Sequence, residues 1–314
     1  MSSMTSLAYV FPGQGSQSVG MLAAKSAEAL TTLEEASEAL GFDVEELITS
    51  GPEEMLNRTE YTQPALLTVS VALFRYAMSN GAEFPDVVLG HSLGEYSALV
   101  AAGAIRFEDA VKLVRKRGQY MQGAVPLGKG GMAAVLGLSD EAVLEICASV
   151  TGESKTGLVE AANFNAPEQV VVAGDNETLK LLIKKCREVG AKKAIILNVS
   201  APFHCSLMKP AAIKMEELIN DTEIIAPKIP IVQNVSAAYE TQPDMIRRNL
   251  VDQIYSPVRW TDSIKTLFNN QIENYVECGP GRVLSGLIKR ANKKAVLGSL
   301  NSEIALNQLG NLGK

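Results

Sequence analysis

Asp86-Val87-Val88-Leu89-Gly90-His91-Ser92-Leu93-Gly94-Glu95-Tyr96-Ser97-Ala98 is the stretch on which the fold turns. Residues 87–89 read as a short buried strand, and Leu93 onward as a helix rich in Ala and Leu. Between them, Gly90-His91-Ser92-Leu93-Gly94 is a G-x-S-x-G pattern in its expected strand–turn–helix setting. The glycines let the chain turn sharply, and the strained turn presents Ser92 Oγ at its tip. The turn also points the N–H of Leu93 at whatever Ser92 attacks, and a helix N-terminus favours negative charge there. The stretch therefore reads as a nucleophile with half an oxyanion hole; the competing reading is an ordinary tight turn.

The rest of the chain bounds what such a nucleophile could serve. At 314 residues, 46% hydrophobic and 20% charged, it has the composition of an ordinary soluble globular protein, with room for one large domain or a large and a small one. A net charge of −6 without a basic tail argues against nucleic-acid binding. No apolar run approaches the roughly 20 residues of a membrane span. The first six residues lack a charged segment followed by a long apolar run, so no signal peptide is expected. Four scattered cysteines (Cys147, Cys186, Cys205, Cys278) without a C-x-x-C pair suggest reduced thiols and a cytoplasmic protein. With only His91 and His204 and no ligand-type spacing, no metal site is expected.

Working outward, residues 7–11 are a short apolar strand cut off by Pro12-Gly13-Gln14-Gly15-Ser16-Gln17. That loop is either plain turn chemistry or a place where backbone and glutamine side chains approach a ligand. Amphipathic helices are predicted over 21–40 and 64–79, the second with Thr62 or Gln63 near its start, and over 107–121 after the elbow. In the last of these, Arg117 falls on the apolar stripe Ala110, Leu113, Val114, Met121. A guanidinium on a buried face needs an anionic partner. It is either half of an internal salt bridge or a carboxylate receptor beside Ser92.

After Gly128-Lys129-Gly130-Gly131 the rhythm changes. Strand 132–137, helix 139–150, strands 158–163 and 169–173, helix 176–189 and strand 193–199 spell β-α-β-β-α-β, the ferredoxin-like unit. Beyond it come a helix at 206–220 and strands at 229–234, 275–278 and 295–297, with helices such as 244–255 and 283–292. The expected architecture is an α/β, hydrolase-like main domain with a mostly parallel sheet (1–128 and 200–314) and an inserted ferredoxin-like small domain (129–199).

A serine nucleophile needs a base. His91 adjoins Ser92 on a sharp turn where neighbouring side chains diverge, whereas His204 lies in a loop directly after a predicted strand, so His204 is the better candidate. No Asp or Glu can be chosen from spacing as a third group. The residues by themselves thus indicate a Ser–His acyl-transfer or hydrolytic enzyme.

Phe11-Pro12-Gly13-Gln14-Gly15-Ser16-Gln17, Gly90-His91-Ser92-Leu93-Gly94-Glu95 and the Arg117 helix together resemble the malonyl-CoA:acyl carrier protein transacylases. Ala162-Asn163-Phe164-Asn165, Gln169-Val170-Val171, Pro202-Phe203-His204-Cys205 and Glu277-Cys278-Gly279-Pro280-Gly281 extend the resemblance over nearly the whole chain. It implies ping-pong transfer of malonyl from coenzyme A to Ser92 and then to the phosphopantetheine thiol of acyl carrier protein, supplying fatty-acid synthesis. By that resemblance Ser92 is the nucleophile and His204 the base and acid. The N–H groups of Gln14 and Leu93 form the oxyanion hole, and Arg117 holds the malonyl carboxylate. Gln253 supplies the main-chain carbonyl that orients the histidine in place of an acid, while Asn163 and Gln63 stand near the substrate. The thioester is the substrate, so no cofactor is implied; the partners are malonyl-CoA and acyl carrier protein, and a monomer is expected. A Ser–His thioesterase or esterase is the alternative, as is an acyltransferase for another extender such as methylmalonyl. Two basic groups could meet an acidic carrier, one at Arg282, Lys289, Arg290, Lys293 and Lys294, the other at Lys180, Lys184, Lys185 and Arg187; either could equally be a solvated helix face.

Overall fold

Every residue of the first strand, Leu7–Phe11, is buried, and its alternate side chains feed different cores. Leu7, Tyr9 and Phe11 point to one face and Ala8 and Val10 to the other, as the two-residue period of a strand requires. Burial on both faces is the mark of a parallel sheet covered by helices on each side. The structure, a computed structural model, describes residues 6–22, 26–154 and 157–301. The expectation about a signal peptide concerns residues 1–6, of which 1–5 lie outside the described residues.

Ten strands occur among the described residues: β1 (Leu7–Phe11), β2 (Val87–Gly90), β3 (Gly130–Leu136), β4 (Val159–Ala166), β5 (Gln169–Asp175), β6 (Lys193–Ile196), β7 (Ile231–Val232), β8 (Tyr239–Glu240), β9 (Asn274–Cys278) and β10 (Val296–Leu300). Six form one sheet in the order β10-β9-β1-β2-β7-β8, parallel throughout except for the β7–β8 pair. This is the mostly parallel sheet expected from the alternation of strands and helices. Helices Ala27–Leu40, Thr59–Ser79, Gly94–Ala101, Phe107–Gly123 and Lys209–Asp221 pack with the Tyr9 face, and Trp260–Asn269 and Val283–Ala291 with the Val10 face. The register pairs Phe11 with Gly90, so the loops that follow β1 and β2 leave the sheet side by side at its C-terminal edge. Ligands of open α/β sheets bind at that edge.

The other four strands pair antiparallel in the order β4-β5-β3-β6, with helices Asp140–Glu153 and Asn176–Glu188 closing a separate core. Strand order and chain order together make this the ferredoxin-like arrangement. Strand β4 is stapled to the segment that leads into helix Trp260–Asn269. Bulges fall between Ala161 and Asn163 and between Phe164 and Ala166. There Phe164 N–H donates to the Val258 carbonyl at 2.9 Å, Val258 N–H donates to Ala162 at 2.9 Å, and Ala166 enters the main core.

Several expected boundaries move. The helix expected over 21–40 begins at Ala27, where the Ser26 side chain caps it by accepting from Ala29 N–H; Met21 and Leu22 are buried but not helical, and 23–25 lie outside the described residues. The helix expected to start at Pro64 starts at Thr59 and carries the proline inside, forgoing one backbone bond. Strand 193–199 stops at Ile196, because the residues after it turn toward the cleft between the sheets, and strand 229–234 shrinks to Ile231–Val232, because Gln233 and Asn234 bond to the buried Glu95 instead. The helix at 206–220 opens with a single 3-10 turn, Ser206–Met208. Helices Val44–Thr49, Glu53–Leu56 and Trp260–Asn269 and the short β8 were not foreseen.

Candidate active site

The elbow is as tight as its glycines imply. A Cβ on Gly90 would lie 1.9 Å from the Gly94 carbonyl carbon, and one on Gly94 would lie 2.0 Å from the Phe11 carbonyl oxygen. Only glycine fits at either position. Ser92 between them adopts φ 52°, a left-handed conformation that costs a non-glycine residue energy and persists only where its surroundings over-determine it. His204 shows the same feature, with φ 60°.

These two strained residues meet. Ser92 Oγ lies 2.7 Å from His204 Nε2, and His204 Nδ1 lies 2.8 Å from the Gln253 carbonyl oxygen. A carbonyl can only accept, so Nδ1 carries the proton and Nε2 presents its lone pair to the serine hydroxyl. Burial, with the nearby Arg117 charge adding to it, holds the imidazole down to about 3, so it is neutral near pH 7. His91 instead turns aside: its Nε2 is 2.7 Å from Asn165 Oδ1 and its ring lies against Trp260.

Arg117 is 1% exposed on helix Phe107–Gly123. Its Nη1 donates to Gln63 Oε1 at 2.9 Å, and its Nη2 donates to Gln253 Oε1 at 2.8 Å and to Ser92 Oγ at 3.2 Å. The Tyr96 ring lies beneath it, 5.6 Å from the guanidinium carbon. Among the described residues Arg117 makes no ion pair, and its buried Nε has no partner. The internal salt bridge left open by the sequence is therefore not formed; amide oxygens orient the guanidinium without neutralising it. Gly118 allows this helix to press on the start of Thr59–Ser79, since a Cβ there would stand 2.7 Å from the Thr59 carbonyl oxygen.

Gln63 reaches two ways, accepting from Arg117 and donating from Nε2 to Gln14 Oε1 at 3.2 Å. Gln14 and Asn163 line a cleft of about 620 Å³ between the two sheets, with Ser92 and His204 in the same wall and Met132, Val171, Leu197 and Phe203 supplying apolar surface. The main-chain N–H groups of Gln14, which lines the same cleft as Ser92, and of Leu93, next to it in the chain, make no hydrogen bond among the described residues. Every sequence-predicted site residue thus lies on or next to this cleft. No group of acidic, histidine or cysteine side chains that could hold a metal occurs among the described residues.

The sequence reading missed a buried polar cluster behind the elbow. Glu95, fully buried, accepts from Asn234 N–H at 2.7 Å and from Gln233 Nε2 at 3.0 Å, and Gln233 Oε1 accepts from Asn249. Burial pushes the Glu95 carboxyl up to about 7. The available signal was a Gln-Asn pair directly after a buried strand, at the sheet edge where polar side chains meet ligands.

An acyl transferase domain family matches residues 8–309. The malonyl CoA-acyl carrier protein transacylase of Salmonella typhimurium is 48% identical over 308 residues, covering 97% of this chain and 98% of that protein; the Staphylococcus aureus protein of the same name is 46% identical over 302 residues, with coverages of 95% and 96%. Among solved structures, the acyl-carrier-protein S-malonyltransferase of Burkholderia pseudomallei superposes with a TM-score of 0.94 at 48% identity, over 97% of this chain and 99% of that one. A malonyl-transacylase solved in complex with a type II PKS acyl-carrier protein has a TM-score of 0.94 at 43% identity, covering 97% and 98%. The chain belongs to the acyl transferase domain family and, within it, to the malonyl CoA-acyl carrier protein transacylases.

Proposed function

We propose that this chain transfers a malonyl group from coenzyme A to Ser92 Oγ and from there to the phosphopantetheine thiol of acyl carrier protein. The observation that carries the reading is a single hydroxyl 2.7 Å from an unprotonated imidazole nitrogen and 3.2 Å from an ion-unpaired guanidinium. His204 Nε2 takes the Ser92 proton as Oγ attacks the thioester carbonyl. The oxyanion forms against the N–H groups of Gln14 and Leu93. When the tetrahedral adduct collapses, the carbon–sulfur bond breaks and the departing thiol takes the proton back from His204, leaving malonyl-Ser92. The carrier thiol then reverses these steps, with the proton passing through His204 and Ser92 Oγ restored. The coenzyme A thioester is consumed as substrate, so the residues call for no resident cofactor.

Arg117 acts as the carboxylate receptor. Its planar fork can hold a carboxylate in two parallel hydrogen bonds, and the two glutamine oxygens fix its plane in advance. An acetyl group leaves that charge unanswered in a partly dry site, at about 3–5 kcal/mol. That corresponds to roughly a hundred- to several-thousand-fold preference for malonyl. Phe203, 7% exposed and facing the cleft, suits a small acyl group better than a branched one.

Intact mass spectrometry after mixing with malonyl-CoA or acetyl-CoA tests the reading. The expected result is a malonyl adduct absent from Ser92→Ala and discharged by acyl carrier protein, with Arg117→Ala losing most of the malonyl preference. Free malonate accumulating without an adduct would indicate a hydrolase. Unchanged selectivity in Arg117→Ala would remove the carboxylate-receptor role.

A further inference from the structure

We infer that Asn234 is a positioning residue for the Ser92 nucleophile, gripping the backbone of the elbow on both sides of His91. Resting on the proposed role of Ser92, this assigns the work of holding the hydroxyl in place to a side chain outside the cleft lining. Asn234 is 1% exposed and follows β7, the neighbour of β2 in the sheet. Its Oδ1 accepts from Ser92 N–H at 2.7 Å, and its Nδ2 donates to the Gly90 carbonyl at 2.6 Å. One amide therefore spans the turn at the residue before and the residue after His91.

The turn needs such a grip. Ser92 sits at φ 52°, and the peptide between His91 and Ser92 is otherwise held only at the His91 carbonyl, which accepts from Gly94 N–H at 2.9 Å. Ser92's carbonyl is held separately, accepting from Gln253 Nε2 at 3.0 Å. With the N–H bound by Asn234 and the carbonyl by Gln253, both peptide planes that flank Ser92 are set, and the direction of Cα–Cβ with them. The bond to Asn234 also removes Ser92 N–H from the donors that could face an oxyanion, leaving that task to Leu93 and Gln14.

Asn234 is itself held fast. Its own N–H donates to Glu95 Oε2, and its carbonyl accepts from Arg259 N–H at 3.1 Å. The Glu95 carboxylate is anchored in turn by Gln233. An amide offers an acceptor and a donor together without charge at any working pH. A carboxylate at 234 would keep the acceptor but set a charged oxygen against the Gly90 carbonyl. A protonated carboxyl would restore both bonds, its C=O accepting from Ser92 N–H and its O–H donating to Gly90.

That symmetry supplies the test. The titratable and charged groups around position 234 are Glu95 on helix Gly94–Ala101, which accepts from its N–H, His91 between the two residues it grips, and His204 and Arg117 on the Ser92 hydroxyl; the Arg259 side chain is turned to Asp262. Glu95 stands close enough to raise the carboxyl of Asn234→Asp into an accessible range. The experiment follows the single-turnover rate of Ser92 malonylation by intact mass in the parent, Asn234→Asp and Asn234→Ala, from pH 8 to pH 5. Asn234→Asp is expected to be slowed about 10²-fold at pH 8, the loss that a roughly 1 Å misplacement produces, and to regain rate as pH falls while the parent does not. Asn234→Ala is expected to be slow at every pH, with the malonyl-CoA concentration for half-maximal rate within about threefold of the parent, because Arg117 is untouched; it also serves if the Asp variant does not fold. Parent-like rates in Asn234→Ala, or a folded Asp variant without acid recovery, would overturn the proposal. A parent that forms no Ser92 adduct would overturn the reading of Ser92 instead, and the two failures are thereby told apart.

Discussion

At His204, burial and the Arg117 charge both oppose a proton and hold the imidazole at about 3 against its ordinary 6.5. Under the proposed mechanism the base is therefore ready at any working pH. The rate of Ser92 malonylation, followed by quenched-flow mass spectrometry, is expected to stay level from about pH 8 to about pH 5; a loss centred near 6.5 would mean a solvated imidazole. The same shift has a stability consequence. Between about 3 and 6.5 the unfolded chain binds the proton that the native one refuses, so the His204 contribution rises with pH across that window and is complete above it. Glu95 works in the opposite sense, because its carboxyl is raised to about 7 from 4.5 and the native chain holds the extra proton there. Its contribution falls as pH climbs through that interval. Ser92, His204 and Arg117 could be found in the sequence because each rests on a local signal: a motif, a scarcity of histidines, a cation on an apolar stripe. Asn234, Glu95 and the His91–Asn165 contact could not. Ser92 and Asn234 are 142 positions apart, and only the sheet order that sets β2 beside β7 brings them together.

Among the elements, the elbow and β1 interlock most closely. Gly94 lies against the Phe11 and Pro12 carbonyls, with the Phe11 carbonyl also accepting from His91 N–H. Gly94→Ala must push the helix Gly94–Ala101 off the strand, and backbone cannot yield as a flexible side chain does. A loss of about 3 kcal/mol or more is expected in urea unfolding, together with loss of acylation; a parent-like midpoint would mean that the helix can shift freely. Strand and helix order was legible because apolar runs and 3.6-residue stripes are local. The ends were less so. A capping serine at 26 overrode an apolar pattern that ran further back, and Pro64 marked not a helix start but a tolerated interruption. Val44–Thr49 and Glu53–Leu56 are too short to show a period.

Over the whole molecule, the two basic groups prove to be different. Lys180, Lys184 and Lys185 pair with Glu177, Glu188 and Glu153, and Arg187 donates to the Ala194 carbonyl, so that face is spent on its own neighbours. Arg282, Lys289, Arg290, Lys293 and Lys294 form no salt bridge among the described residues and are exposed around Val283–Ala291, the helix whose Val283, Leu284 and Leu287 line the cleft. Lys289 and Arg290 hold the Ala295 carbonyl and Gln169, which leaves Arg282 and Lys293 as the cleaner probes. Arg282→Glu with Lys293→Glu is expected to raise KM for acyl carrier protein severalfold while leaving KM for malonyl-CoA unchanged, as rim charges steer encounter with a charged partner. Equal change in both constants would count against docking there. The staple at β4 bears on a different question, the fate of the ester between its two partners. With Phe164 and Val258 laced together, Thr261 Oγ1 donating to the Phe164 carbonyl and His91 bridged to Asn165, strand β4 is welded to the elbow and to the start of helix Trp260–Asn269 beside the reacting serine. A welded seam cannot act as a door. Under the proposed mechanism, selection between a long carrier arm and a small water molecule is then expected to rest on the shape of the passage and not on a gate at this seam.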